Sequence, residues 1–339
     1  MEGDILKEVV DDLKSSFDEM GKFVKLPYEN EAVEISEDNF HSIGEKGDGK
    51  IVFVDGGNTE ILKSSNFSLQ FVRIYYTIYL DNKRISNKKY EFYLLVKSFD
   101  NNGKIFFKTK IFGDRLIEGL EFDSFDKTLC VGKNRADVSF IGNVVRRFSE
   151  LKVVHNVVDE LSSGDVVVLD GSLDCKYSGE KEILDKIVEN CNLKNVNIIG
   201  LSKTCELFTD KGNSMISALN AIQPVGSWYY YPIAKFSKKF DILFVKLNSK
   251  SKYIFRMDFV SEMNDKIEKV LSLLILNSKD TVFLGYPYGL IEADKMARVS
   301  NNELEMIKTK FMVKAGKDWD KINESLKTKD SHSVLDNIG

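Results

Sequence analysis

Proline is almost absent from this chain. Four prolines and 22 glycines in 339 residues leave no linker-rich or low-complexity stretch to divide it. No repeat of short period is present either. Cysteine is nearly as scarce: Cys130, Cys175, Cys191 and Cys205 form no C-x-x-C pair and have no histidine beside them, which excludes the usual zinc spacings. They read as small, buried apolar residues. No apolar run reaches the roughly 18 residues that cross a bilayer. The opening MEGDILKEVVDDLK is acidic and amphipathic, where a secretory signal would be basic and then apolar. The expectation is a cytoplasmic protein without disulfides and without a membrane partner. Neither sign of charge dominates: 48 Lys and Arg against 52 Asp and Glu give a net −4. That excludes a surface that grips nucleic acid everywhere, and leaves room for a local basic channel. A Walker-type phosphate loop is missing too, as is a glycine-rich adenosine segment in the second half.

What the chain does have is acids placed where strands and helices would present them. The run IVFVDGGNTEI (51–61) delivers Asp55 to the end of an apolar stretch, and VVVLDGSL (166–173) does the same with Asp170. In an open α/β sheet, strand ends are where ligands bind. Two readings stand for each acid: an Asp-Gly turn, or one side of a site built from distant strands. Glu150 lies on a predicted helix over 136–162, whose Val138, Ile141, Val144, Val145, Phe148 and Leu151 share one face. It is either a ligand or the partner of Arg146 four residues earlier. Asp258, in YIFRMDF, alternates away from such a site. Carboxylates about 4 Å apart repel by roughly 4 kcal/mol at an effective dielectric near 20, so a cluster of them stays ionised around a cation. Oxygen ligands of this kind suit Mg²⁺ or Mn²⁺, and paired divalent ions serve phosphodiester cleavage.

The remaining chain reads as follows. Ile5, Val9, Leu13 and Phe17 predict an amphipathic helix over 2–22, and 23–49 is irregular. A meander of antiparallel strands fills 51–112, with Asp81-Asn82 and Asn101-Asn102-Gly103 as turns. Strand, helix and strand then alternate, with a short strand at TVFLGYP (281–287) and a long helix over 289–312 broken near Ser300. The fold class is α/β: a mixed sheet with helices on its faces, plus an N-terminal helix and a C-terminal helical segment. The expected organisation is 1–50 as helix and irregular segment, 51–325 as one domain, and 326–339 as a disordered tail.

In order along the chain stand VDGG (54–57), RRFSEL (146–151), VVVLDGSL (166–173), GLSKT (200–204), YIFR (253–256) and GYPYGLIEAD (285–294). This series resembles the NurA family of archaeal and bacterial DNA-end nucleases, over about Ile51 to Ala297. The resemblance implies a ribonuclease-H-like core and manganese-dependent nuclease action on DNA, with magnesium as an alternative metal. Both single-stranded exonuclease and endonuclease activity are implied, in end resection beside a hexameric HerA-type DNA translocase. It makes Asp55, Glu150 and Asp170 the metal-binding carboxylates and Tyr286 the active-site tyrosine. Eight residues after that tyrosine the family has histidine and this chain has Asp294, which keeps an oxygen ligand but supplies no neutral imidazole near pH 7. None of His41, His155 or His332 replaces it by motif. Gly57 stands where the family more often has serine. Lys203, Arg146 and Arg256 are candidates for phosphate contact. A homodimeric ring would place Lys235, Lys238 and Lys239 around a channel. Two other functions remain open: a weakened or inactive DNA- or translocase-binding subunit, suggested by Asp294, and an actin-like nucleotide-binding ATPase, suggested by DGGNT and LDGS.

Overall fold

The computed structural model describes residues 2–15, 21–25, 33–44, 47–233 and 239–327. The chain opens with helix α1 (Glu2–Ser15) and the short strands β1 (Val24–Lys25) and β2 (Phe40–Ser42). Four long strands follow, β3 (Lys50–Lys63), β4 (Phe67–Leu80), β5 (Lys83–Asn101) and β6 (Lys104–Gly113), then the short β7 (Glu121–Asp123). Helix and strand next alternate through α2 (Ile141–Val158), β8 (Val166–Asp170), α3 (Glu180–Lys194) and β9 (Asn197–Ser202). After β10 (Phe208–Thr209) and α4 (Met215–Ile222) come β11 (Trp228–Tyr230), β12 (Phe240–Lys246) and β13 (Phe255–Val260). Helices close the chain: α5 (Ile267–Asn277), α6 (Tyr288–Ala297), α7 (Asn301–Ala315) and α8 (Trp319–Lys327). This is the mixed α/β fold that strands followed by alternating helix and strand predict, a large sheet flanked by helices.

The residues group into two compact units. The second holds Lys50–Val167, Asp174–Val196 and Gly289–Gly339. Its strands run in the order β3-β4-β5-β6-β7, each pair antiparallel. β4 is buried along nearly its whole length, which fits its near-continuous apolar run, whereas β5 begins fully exposed. The turns fall where the sequence places them, with Asp81, Asn82 and Asn102 at positive φ. The buried face of α2 is the apolar stripe read from its spacing.

The first unit holds Met1–Gly49, Val168–Leu173 and Asn197–Tyr288. Its strands follow the order β2-β11-β12-β13-β9, again antiparallel pair by pair. Trp228, Tyr230, Phe244, Met215 and Leu219 form the centre of one core cluster there. β8 begins in the second unit and ends in the first.

Several expectations need correction. Residues 281–287 form bends and turns instead of a strand; Gly285 takes a positive φ and Phe283 stacks on Tyr286, so the aromatics fold over each other. The N-terminal helix is described over Glu2–Ser15, and 16–20 lie outside the described residues. Its apolar stripe is exposed. The expected tail begins inside α8, while 328–339 lie outside the described residues. Cys191 is buried, but Cys175 is exposed. The break near Ser300 is real: its hydroxyl accepts from Glu303 N–H as the N-cap of α7. Among the described residues no helix is long and apolar enough to cross a membrane.

Candidate active site

Asp55 is inside β3 and not at its end. The strand continues to Lys63, with Asp55 opposite Tyr75 and Gly56 opposite Ile74. The two glycines that suggested a turn serve close packing instead. A Cβ on Gly56 would lie 2.6 Å from Glu150 Oε1 and 2.7 Å from Ile74 Cδ1. One on Gly57 would lie 2.5 Å from the Ala297 carbonyl oxygen. A Cβ on Gly289, at the other end of α6, would overlap the ring of Phe53. The bare stretches Gly56-Gly57 and Gly289 therefore let α2 and α6 settle directly onto β3. The departure from serine at position 57 is thus a packing matter: the C-terminal end of α6 occupies the space a side chain would need.

This packing brings three acids of the second unit to one stretch of β3. Asp55 is 8 % exposed, and its Oδ1 accepts the Gly56 N–H at 2.7 Å. Asp294, on α6, offers a carboxylate oxygen within 4.8 Å of one from Asp55. Two ionised carboxylates at that spacing repel by roughly 3–4 kcal/mol at an effective dielectric near 20. Glu150 descends from α2 beside Gly56, and it does have Arg146 as a partner, at 2.5 Å. Arg147 stands 3.8 Å from its other oxygen. Arg146 also donates to the Gly56 carbonyl at 3.0 Å, tying α2 to the strand. Arg298 holds Asp294 Oδ2 at 2.7 Å, a contact with no signal in the motif series.

Interlocked polar groups fix α6 and α7. The Glu292 carboxylate accepts from Tyr75 at 2.7 Å, from Arg84 at 2.8 Å and from Tyr79 at 2.5 Å. Burial works to raise the Glu292 pKa, and these three donors outweigh it, leaving the carboxyl below its usual range. Burial and the Glu292 contact push the Tyr75 hydroxyl up to about 12. Arg73 reaches Glu91, Glu303 and the Arg298 carbonyl together.

In the first unit, Asp170 does end its strand, and Gly171 follows at φ +103° with its N–H on the Leu201 carbonyl. Its two oxygens are separately engaged. The Tyr286 hydroxyl donates to Oδ1 at 3.2 Å and the Lys203 ammonium to Oδ2 at 2.7 Å. Tyr286 is completely buried, stacked on Phe283 and close to Phe255, and Lys203 also stands 5.3 Å from its ring centre. Arg256 is committed to Asp258 through two donors at 2.7 and 3.0 Å. Asp258, which alternation alone set aside, is 1 % exposed and also accepts the Leu173 N–H at 3.0 Å. It supports the loop that leaves Asp170. Of the three channel lysines, Lys235 and Lys238 lie outside the described residues.

Comparison with known proteins bears on the family and the fold. The NurA domain family model matches residues 49–299. The NurA nuclease from Sulfolobus solfataricus covers 93 % of this chain and 95 % of its own at a TM-score of 0.55 and 14 % identity, a likeness of fold. The catalytic domain of human endonuclease V covers 78 % of this chain and 85 % of its own, at a TM-score of 0.39 and 11 % identity, too distant to carry weight. No curated protein sequence matches the chain. With a family match spanning most of its length and a fold to go with it, the chain belongs to the NurA family.

Proposed function

We propose that this chain is a divalent-metal-dependent nuclease that cuts DNA, as a single-stranded exonuclease and endonuclease in end resection. The observation that carries the reading is the approach of Asp55 and Asp294 on β3 and α6, two carboxylates close enough to share one cation. The donor set fits a hard divalent ion, Mn²⁺ or Mg²⁺, because it is carboxylate oxygen without sulfur or imidazole. Asp55, Glu150, Asp170 and Asp294 are the residues assigned to hold it. When bound, the metal would activate water and stabilise the leaving oxygen.

The chain's own groups supply orientation and charge. Tyr286 and Lys203 fix the two oxygens of Asp170. Lys203 is also a compact positive charge for a phosphate. Arg146 orients Glu150 while bonded to the strand beneath it. Arg256, clamped by Asp258, is assigned a supporting role behind Asp170 in place of direct phosphate contact. Family membership supports DNA as substrate, a hexameric HerA-type translocase as partner, a homodimer as assembly and the cytoplasm as setting.

The test is release of nucleotides from single-stranded DNA by purified protein with Mn²⁺. Asp55→Ala and Asp170→Ala are each expected to abolish it, and full activity in both variants would refute the site. A second reading, a non-catalytic DNA- or translocase-binding subunit, is favoured by the Arg298–Asp294 pair, which engages the residue standing in for histidine. Asp294→His separates the two. An inactive wild type that gains activity supports the second reading, and an active wild type rejects it.

A further inference from the structure

The aromatic side chains beside Asp170 do not stop at the buried Tyr286. Within the first unit they continue outward to solvent. Tyr286 stacks on Phe283 at 5.2 Å between ring centres, and Phe283 meets Tyr253 edge-on at 4.9 Å. Exposure rises along this series, from 0 % at Tyr286, through a half-buried Phe283, to 56 % at Tyr253. Packing accounts for the inner rings; it does not account for Tyr253, more than half of which stays in water. Tyr253 lines a shallow pocket of about 240 Å³ together with Val282, which is 75 % exposed. Two exposed lysines complete it, Lys250 and Lys252, and neither ammonium has a partner among the described residues. Asp280, the acid of the facing loop, is taken up by the Val282 N–H at 2.8 Å. The loop that carries Tyr253 is fixed. Asn248 Oδ1 accepts the Lys250 N–H and Ser251 Oγ accepts the Tyr253 N–H, each at 3.0 Å. Ser251 is buried against Gly285, where an added Cβ would lie 2.6 Å from the serine Cβ.

We propose that Tyr253 is a stacking platform for one base of a single-stranded DNA whose phosphates lie on Lys250 and Lys252. It deepens, and rests on, the reading of Asp170 as part of a nuclease site. Every base has a π-face, so an exposed ring accepts a strand of any sequence, and lysines hold its phosphates as point charges. The uncommitted lysines favour a strand over a protein partner, because protein–protein interfaces are depleted in lysine. Two ring contacts separate the platform from Tyr286, whose hydroxyl donates to Asp170 at 3.2 Å. That span is at most about three stacked nucleotides, at roughly 3.4 Å each. A base held on Tyr253 therefore sets the register of the strand a few nucleotides from Asp170. Because the loop is fixed by its own hydrogen bonds, little ordering cost is left for binding.

Fluorescence anisotropy of a labelled, short single-stranded oligothymidylate tests it, in the absence of metal so that binding is read without cleavage. Tyr253→Leu keeps an apolar side chain and removes the ring. It should weaken binding about tenfold, within the range that a base–aromatic stack contributes. Tyr253→Phe should bind as the wild type does, since the Tyr253 hydroxyl has no partner among the described residues. Lys250→Gln and Lys252→Gln should each flatten the dependence of log K on log salt by about 0.7. Oligonucleotides carrying 2-aminopurine at successive positions add a spectroscopic readout. One position should be quenched by the wild type and by Tyr253→Phe, and not by Tyr253→Leu. All three side chains are exposed, so folding is retained and is checked by circular dichroism. Equal affinity in Tyr253→Leu and wild type overturns the proposal, as does a wild type that binds no strand. Equal affinity with a changed sedimentation coefficient overturns it in favour of a protein-docking surface. The two readings fail separately. A strand quenched on Tyr253 but not cleaved with Mn²⁺ keeps the platform and refutes the nuclease. Cleavage that Tyr253→Leu leaves at the wild-type KM keeps the nuclease and refutes the platform.

Discussion

Asp55 is buried, ionisable and mid-strand, a combination that costs several kcal/mol unless something compensates it. Its own neighbour's N–H compensates part of the charge, and Asp294 adds to the cost. The approach of Asp55 to Asp294 predicts a metal signature independent of catalysis. Mn²⁺ at about 100 times its Kd should stabilise the wild type by about 2.7 kcal/mol, read as a rise in Tm. Asp55→Asn should abolish that rise while increasing the metal-free Tm, because the repulsion with Asp294 is gone. An equal Mn²⁺ shift in both proteins would exclude Asp55 as a ligand. Legibility at this scale was uneven. Asp170 ends its strand and Glu150 lies on its helix, as the sequence reads. Asp55 was placed at a strand end and lies inside β3, because Asp-Gly-Gly has the same letters in a turn and in a closely packed strand. Arg298 on Asp294, and Asp258 under the Asp170 loop, carry no local sequence signal; their partners are set by tertiary contact.

At the scale of elements, the site depends on how closely α6 lies on β3. Gly289 faces the Phe53 ring and Gly57 faces the Ala297 carbonyl, one at each end of the helix. Gly289→Ala should cost about 1–3 kcal/mol of stability by overpacking and lower activity by displacing Asp294; denaturant unfolding beside an activity assay checks both. Unchanged stability would show that the helix has room to move. The same helix is held by Glu292 against Tyr75, Tyr79 and Arg84. The folded pKa of Glu292 is depressed, so its contribution is complete above the unfolded value of about 4.5 and is lost as pH falls below it. Tyr75 is raised, so its contribution is complete below about 10 and is lost as pH rises toward 12. The Tm of the wild type should therefore fall more steeply below pH 4.5 than that of Glu292→Gln; parallel profiles would contradict the clamp. The long strands and α2 were readable because their apolar period is strong over many residues. α4 and α8 were not, since one is short and the other lies in a polar stretch; TVFLGYP was misread because its apolar letters pack as a turn of stacked aromatics.

At the scale of the whole molecule, the sequence offers scarce proline and a near-neutral charge balance. They did not foretell its grouping into two compact units, each assembled from separated segments, since that depends on contacts distant in sequence. The first holds Asp170 with Tyr286 and Lys203, and the second holds Asp55, Glu150 and Asp294. The most direct test is a cleavage time course on single-stranded DNA with Mn²⁺, comparing wild type, Asp55→Ala and Asp170→Ala, each repeated with chelator. The account predicts nucleotide release by the wild type alone, abolished by chelator. Release that survives either substitution, or that chelator leaves unchanged, would contradict it.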